Sequence, residues 1–144
     1  MSKRILLLHG PNLNLLGQRD ASMYGTMTLP ELERAVQARA SELDVEVECL
    51  QSNVEGELVN ALHDAQATCA GVIFNPGGYS HTSVALRDAV EAISIPTVEV
   101  HLSNIHAREG FRQKSLTAQA ARACLSGLGL QGYLAALESL IAED

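Results

Sequence analysis

Glu99 and His101 stand two residues apart at the end of the apolar run Pro96-Thr-Val-Glu-Val-His101. In a strand, positions two apart share one face. The carboxylate then lies beside the imidazole, where it fixes the ring's tautomer and favours its protonated form. The run opens into residues 102–112, dense in hydroxyl, amide and guanidinium groups. That composition at the carboxyl end of a strand is what an active site needs. The alternative is a polar strand end closed by ion pairs.

Other segments carry chemistry of the same kind. Asn75-Pro76-Gly77-Gly78 offers an amide with both donor and acceptor groups, followed by two glycines that let backbone approach a ligand. His81 falls at the entry of the next helix, where anions are favoured; the plain alternative is a turn with a solvated histidine. The amides of Leu102 and Ser103, at the start of an expected short helical turn, can hold a carboxylate, or Ser103 can simply cap. Arg112 can fork onto hydroxyls or a carboxylate. Tyr24 is a poor base at neutral pH unless cations stabilise its phenolate, and Arg19 and Arg108 are the candidates for that. A surface arginine and a packing tyrosine is the competing reading of Arg19 and Tyr24. Asp88 reads as a solvated helix residue, His63 and His106 as structural, and His9 as ambiguous. The set suits proton abstraction beside a carbonyl and acid-assisted loss of a leaving group.

The elements that position these groups follow from periodicity. Continuous apolar runs at Ile5–Leu8 and Gly71–Phe74 read as strands buried on both faces. Val45–Gln51 alternates as a strand, the run to His101 is another, and Ala120–Ser126 is a weaker fifth. Thr28 with Glu31 makes a capping box, and Ser52 with Glu55 repeats the pattern. Further helices are expected over about Thr82–Ile93 and from about Gly132. The long stretch from Gly10 to Met27 exceeds ordinary connections and reads as a functional loop, with residues 17–25 as a lid. This alternation predicts one domain over residues 1–144, an α/β flavodoxin-like doubly wound five-stranded parallel sheet of order 2-1-3-4-5 with helices on both faces. Ligands bind such sheets at the switch point between strands 1 and 3, beyond the carboxyl ends. The loops starting at His9, Asn75 and His101 should therefore converge.

Composition narrows the function. The 144 residues carry a net charge of −7, which disfavours nucleic acid and anionic membranes as partners. Arg108, Arg112 and Lys114 face a single acid, Glu109, so a small anionic substrate suits this region. No apolar run approaches a membrane span and no signal peptide is visible. Cys49, Cys69 and Cys124 lie in apolar segments and read as reduced core thiols of a cytoplasmic protein. No metal-ligand spacing, phosphate loop or nucleophile elbow occurs. Lys3 and Lys114 are the only lysines, and neither suits a Schiff base.

Taken in order, the motifs resemble the type II 3-dehydroquinate dehydratases. The carriers are Gly10-Pro-Asn-Leu-Asn-Leu-Leu-Gly-Gln-Arg19, Tyr24-Gly25, Ser52-Asn-Val-Glu-Gly-Glu57, the run Asn75 to Asp88, the run Glu99 to Glu109, Phe111-Arg112 and Gly127-Leu-Gly-Leu-Gln-Gly-Tyr133. The resemblance implies conversion of 3-dehydroquinate to 3-dehydroshikimate and water by anti elimination through an enolate, the third step of the shikimate pathway, without cofactor or metal. It implies Tyr24 as base, Arg19 with Arg108 as its cationic support, Asn12 as holder of an enolate-stabilising water, and His101 as acid oriented by Glu99. It implies Leu102 and Ser103 on the substrate carboxylate, and Asn75, His81 and Arg112 on its hydroxyls. Asp88 would reach a neighbouring subunit's site in a homododecamer of four trimers. The chain departs from the family pattern at Gly78, Gly110, Gln113-Lys114 and Leu116–Ala121. A catalytically silent flavodoxin-like binding module and a degenerate family member are the competing readings; the first lacks a phosphate loop, and intact Arg19, Tyr24, His101 and Arg112 oppose the second.

Overall fold

The computed structural model describes residues 3–18, 22 and 25–142. Its five strands are β1 (Lys3–His9), β2 (Val45–Gln51), β3 (Gly71–Asn75), β4 (Thr97–His101) and β5 (Ala123–Ser126). They form one parallel sheet in the order β2-β1-β3-β4-β5. Three helices connect strands, α1 (Leu29–Glu42), α2 (Glu55–Thr68) and α3 (Val84–Ala92), and α4 (Leu130–Ile141) follows β5.

Alternation along β1 divides the core. Ile5 and Leu7 face α1 and α4, packing with Leu32, Val36, Tyr133 and Leu137. Leu6 and Leu8 face α2 and α3, packing with Leu58, Leu62, Leu86 and Val90. A strand buried on both sides has no polar face to present, which is why its sequence is an unbroken apolar run. The expected fold, strand order and two-sided helix cover are all present.

Local chemistry sets the boundaries. Thr28 and Glu31 form the expected capping box, with the Thr28 side chain accepting from the Glu31 amide and Glu31 accepting from the Thr28 amide. The Thr28 hydroxyl also donates to Glu31 Oε1 at 2.8 Å, and this bond foremost, with that from the Thr28 amide, holds the Glu31 carboxyl below its ordinary range. The second expected box does not form. Val54 caps α2, while Ser52 Oγ accepts from the Val54 amide at 2.9 Å and donates to Glu57 at 2.5 Å. The extended backbone of Val54 sends the serine into a local turn instead. Ser83, not Thr82, caps α3 by accepting from the Leu86 amide. α4 starts two residues before Gly132, and β5 only at Ala123.

Candidate active site

The three polar strand exits do converge. Gly10 donates its amide to the Asn75 carbonyl at 2.7 Å, and a Cβ on Gly10 would lie 2.4 Å from the Pro76 carbonyl oxygen. Backbone meets backbone there, so only glycine fits. Gly77 reciprocates with φ +61 against Pro11. Asn12 follows in the left-handed region at φ 70, a conformation asparagine tolerates, with its amide held by Asn53 Oδ1 at 3.0 Å. The first loop is thereby clamped against the third.

Between these loops and the exit of β4 lies a cavity of about 150 Å³, lined by residues that include Asn12, Asn75, His81, His101, Leu102, Ser103, Arg108 and Arg112. Drug-sized ligands occupy roughly 300–1,000 Å³, so this space suits a small polar molecule. Eight of the twelve residues singled out from the sequence line it. Glu99 lies just beneath. Asp88 stands on the exposed side of α3 beside Arg87, away from the cavity. Arg19, Tyr24 and most of the expected lid lie outside the described residues.

The acid couple is closely built. Glu99 and His101 are 1% and 5% exposed, and His101 Nε2 lies 2.7 Å from Glu99 Oε2. With Nε2 directed at the carboxylate, Nδ1 is the ring nitrogen left for the cavity. Glu99 also accepts from Ser115 Oγ at 2.6 Å and from Thr117 Oγ1. Neither hydroxyl was singled out from the sequence. Ser115 and Thr117 stand two apart, a strand-like spacing, but in a segment with no strand pattern to give that spacing meaning.

The neighbouring groups are committed as well. Asn75 Nδ2 donates to Tyr133 Oη at 2.8 Å, and Asn75 Oδ1 accepts from the Gly77 amide at 3.0 Å. Burial pushes the Tyr133 phenol well above its ordinary range, so it stays a neutral partner. His81 Nδ1 donates to the Lys114 carbonyl at 2.9 Å. Arg112 Nε pairs with Glu109 at 2.9 Å, and Arg108 Nε lies 3.9 Å from the same carboxylate. Glu109 sits below the usual carboxylate range, chiefly through its own backbone amide, with Arg112 and Arg108 adding to it. Leu102 and Ser103 form a bend, and the expected helical turn comes later, at Ile105–Ala107, capped by Asn104. The carbonyls of Leu102 and Ser103 are tied to Gly129 and Ser126. His9 is fully buried, with Nε2 3.2 Å from Glu33 Oε2.

Cys124 corrects the expectation of three core thiols, because it is exposed beside Glu99, across the β4–β5 ladder. Burial of its sulfur and the Glu99 charge raise its thiol to about 11. The sulfur, Glu99 and His101 bring three potential metal ligands within 4.8 Å of one another. The Glu99 oxygens already accept from three donors, so the arrangement is organised for protons.

A switch-point cavity lined by His101, with Glu99 beneath it, and by two guanidiniums has the groups for acid–base chemistry on a small anion in a flavodoxin-like fold. Comparison with known proteins narrows this. The family model described as dehydroquinase class II matches residues 3–141. A 3-dehydroquinate dehydratase of Rhodopseudomonas palustris (strain BisA53) is 55% identical over 144 residues, covering 99% of this chain and 95% of the relative. A type II dehydroquinase structure from Butyrivibrio crossotus superposes with a TM-score of 0.96 at 38% identity, covering 98% and 99% of the two chains. Another, from Propionibacterium acnes, gives 0.92 at 40% identity with 97% of each covered. The chain belongs to the class II dehydroquinase family.

Proposed function

We infer that this dehydroquinase converts 3-dehydroquinate to 3-dehydroshikimate and water by anti elimination, with Tyr24 as base and His101 as acid. The observation that carries the reading is the buried Glu99–His101 couple at 2.7 Å, opening onto a cavity that also holds the Arg108 and Arg112 side chains. The Tyr24 phenolate takes the proton from C2, and its charge is supported by Arg19 and Arg108. The electron pair moves onto the C3 carbonyl oxygen as an enolate, stabilised through a water held by Asn12. Collapse of the enolate forms the C1–C2 double bond and expels the C1 hydroxyl. That hydroxyl takes a proton from His101 and leaves as water, while ionised Glu99 keeps the ring aimed.

The amides of Leu102 and Ser103, with the Ser103 hydroxyl, receive the substrate carboxylate. Asn75, His81 and Arg112 receive its hydroxyls. Asn75 has one amide proton and one lone pair beyond those used by Tyr133 and Gly77, enough for this role. Asp88, on the outward side of α3, completes the site of a neighbouring subunit in a homododecamer of four trimers. The setting is cytoplasmic, in the third step of the shikimate pathway. Among the described residues no helix is long and apolar enough to cross a membrane.

The test follows ultraviolet absorbance of the conjugated enone formed from 3-dehydroquinate. Tyr24→Phe and His101→Ala should each lower kcat by orders of magnitude while substrate analogues still bind. Wild-type rates from either variant would overturn the assignment. Borohydride with substrate should leave the enzyme active, because no imine forms.

A further inference from the structure

Residues 114–117 form a strap between the two sides of the cavity, and its residues alternate in what they hold. Lys114 and Leu116 bind the loop after β3: the Lys114 carbonyl accepts from His81 Nδ1 at 2.9 Å, and the Leu116 amide donates to the Ser80 carbonyl at 2.6 Å. Ser115 and Thr117 turn the other way and donate to Glu99, one hydroxyl to each carboxylate oxygen. The two hydroxyls are also 3.1 Å apart, and Ser115 Oγ accepts from the Ala118 amide. Thr117 is fully buried and Ser115 nearly so. The imidazole, the two hydroxyls and, more distantly at 4.0 Å, the Cys124 thiol thus surround one carboxylate whose exposed area is 1%.

We propose that Ser115 and Thr117 are positioning residues for the acid step. They act through Glu99, and they do not touch substrate. A carboxylate is an acceptor on all its lone pairs, and a carboxylate held by one imidazole alone can rotate about its last bond or draw the ring's proton to itself. Two fixed hydroxyl donors take up one direction on each oxygen. They stabilise the negative charge where it stands and leave the shared proton on the ring. They also lock the rotation of the carboxylate, and with it the angle at which His101 Nδ1 meets the leaving hydroxyl. Because the strap also fixes the tautomer of His81, the acid and a substrate contact are aligned by one segment. This proposal rests on the reading of His101 as the acid.

The experiment uses the full chain with Thr117→Val, Thr117→Ser and Ser115→Ala. Valine keeps the volume of threonine and removes only the donor. Thr117→Val should lower kcat roughly tenfold or more with KM for 3-dehydroquinate within about twofold, and Thr117→Ser should restore most of the rate. The solvent deuterium isotope effect on kcat should grow in Thr117→Val, because proton delivery from His101 becomes slower relative to the other steps. Ser115→Ala should show the same pattern. Carbethoxylation of His101 by diethyl pyrocarbonate, read by peptide mass spectrometry, needs no turnover. It should be several-fold faster in Thr117→Val and Ser115→Ala than in wild type or Thr117→Ser. Wild-type kcat and carbethoxylation rate in Thr117→Val overturn the proposal. So does a lowered kcat with an unchanged isotope effect and no rescue by serine, which marks a packing role only. An inactive wild-type enzyme overturns the acid assignment, and the carbethoxylation rates still judge the clamp.

Discussion

Replacing Glu99 by glutamine separates its charge from its shape. The glutamine fills the same volume and keeps one carbonyl acceptor, but its other end becomes an NH2 donor. Glu99 accepts from His101, Ser115 and Thr117 within a site that is almost closed to water. One carbonyl oxygen cannot serve three donors spread over two atoms. A hydroxyl can rotate and accept from the new NH2, so Ser115 or Thr117 adapts. With its carbonyl in the place of Oε2, the glutamine still accepts from His101 and Ser115, so the change removes the negative charge opposite the imidazole and keeps the hydrogen bond. General acid catalysis is worth about 10²–10⁴ in rate, so kcat should fall by that factor, or about 3–5 kcal/mol of transition-state stabilisation. The groups expected to bind substrate are elsewhere in the cavity, so KM should change by less than about threefold. The assay is the initial rate of enone absorbance over a range of 3-dehydroquinate concentrations. A Glu99→Gln enzyme within threefold of wild-type kcat would refute the claim that the charge of the carboxylate supports proton delivery by His101.

Three further outcomes follow from the geometry. Gly10→Ala drives a Cβ to 2.4 Å from the Pro76 carbonyl, so thermal melts should show a loss of about 1–3 kcal/mol and roughly 3–10 °C, with activity falling as the loops separate. Gly78→Ala is the control: a Cβ there meets nothing within 4 Å, and an unchanged melting temperature is expected. Tyr133→Phe leaves the buried Asn75 Nδ2 without its acceptor, which should cost about 1–3 kcal/mol in the same melts; a shift below about 1 °C would mean that the amide finds another partner. Cys124 is an exposed residue whose sulfur is partly buried beside Glu99 and whose thiol is raised to about 11, so it stays neutral below that pH and gains thiolate only as pH climbs toward it. Iodoacetamide labelling at pH 8 should be on the order of a hundredfold slower than for free cysteine and should accelerate steadily above pH 9, and labelling as fast as free cysteine would contradict the raised value.

Much of this was legible along the chain because its physics is local. Ile5–Leu8 reads as a strand covered on both faces, and Thr28 with Glu31 marks its helix start through groups three residues apart. The parity of Glu99 and His101 on β4 already put carboxylate and imidazole on one face. Ser52 and Glu55 show the limit of such reading, since the same pattern that caps α1 is diverted by the extended Val54 into a turn ending on Glu57.

What the sequence by itself determined was the set of elements, their order in the sheet and the residue types available at the switch point, because periodicity and right-handed crossovers leave few other solutions. What only the tertiary structure decided was which groups surround Glu99. Ser115 and Thr117 come from 16 and 18 residues away, on an irregular strap whose course is set by bonds to Ser80 and His81. No periodicity encodes such a course, because it depends on the partners' positions in space. The depth of the carboxylate, the loss of its water and the exposure of Cys124 beside it have the same origin: burial is a property of packed elements and cannot be assigned to any one of them.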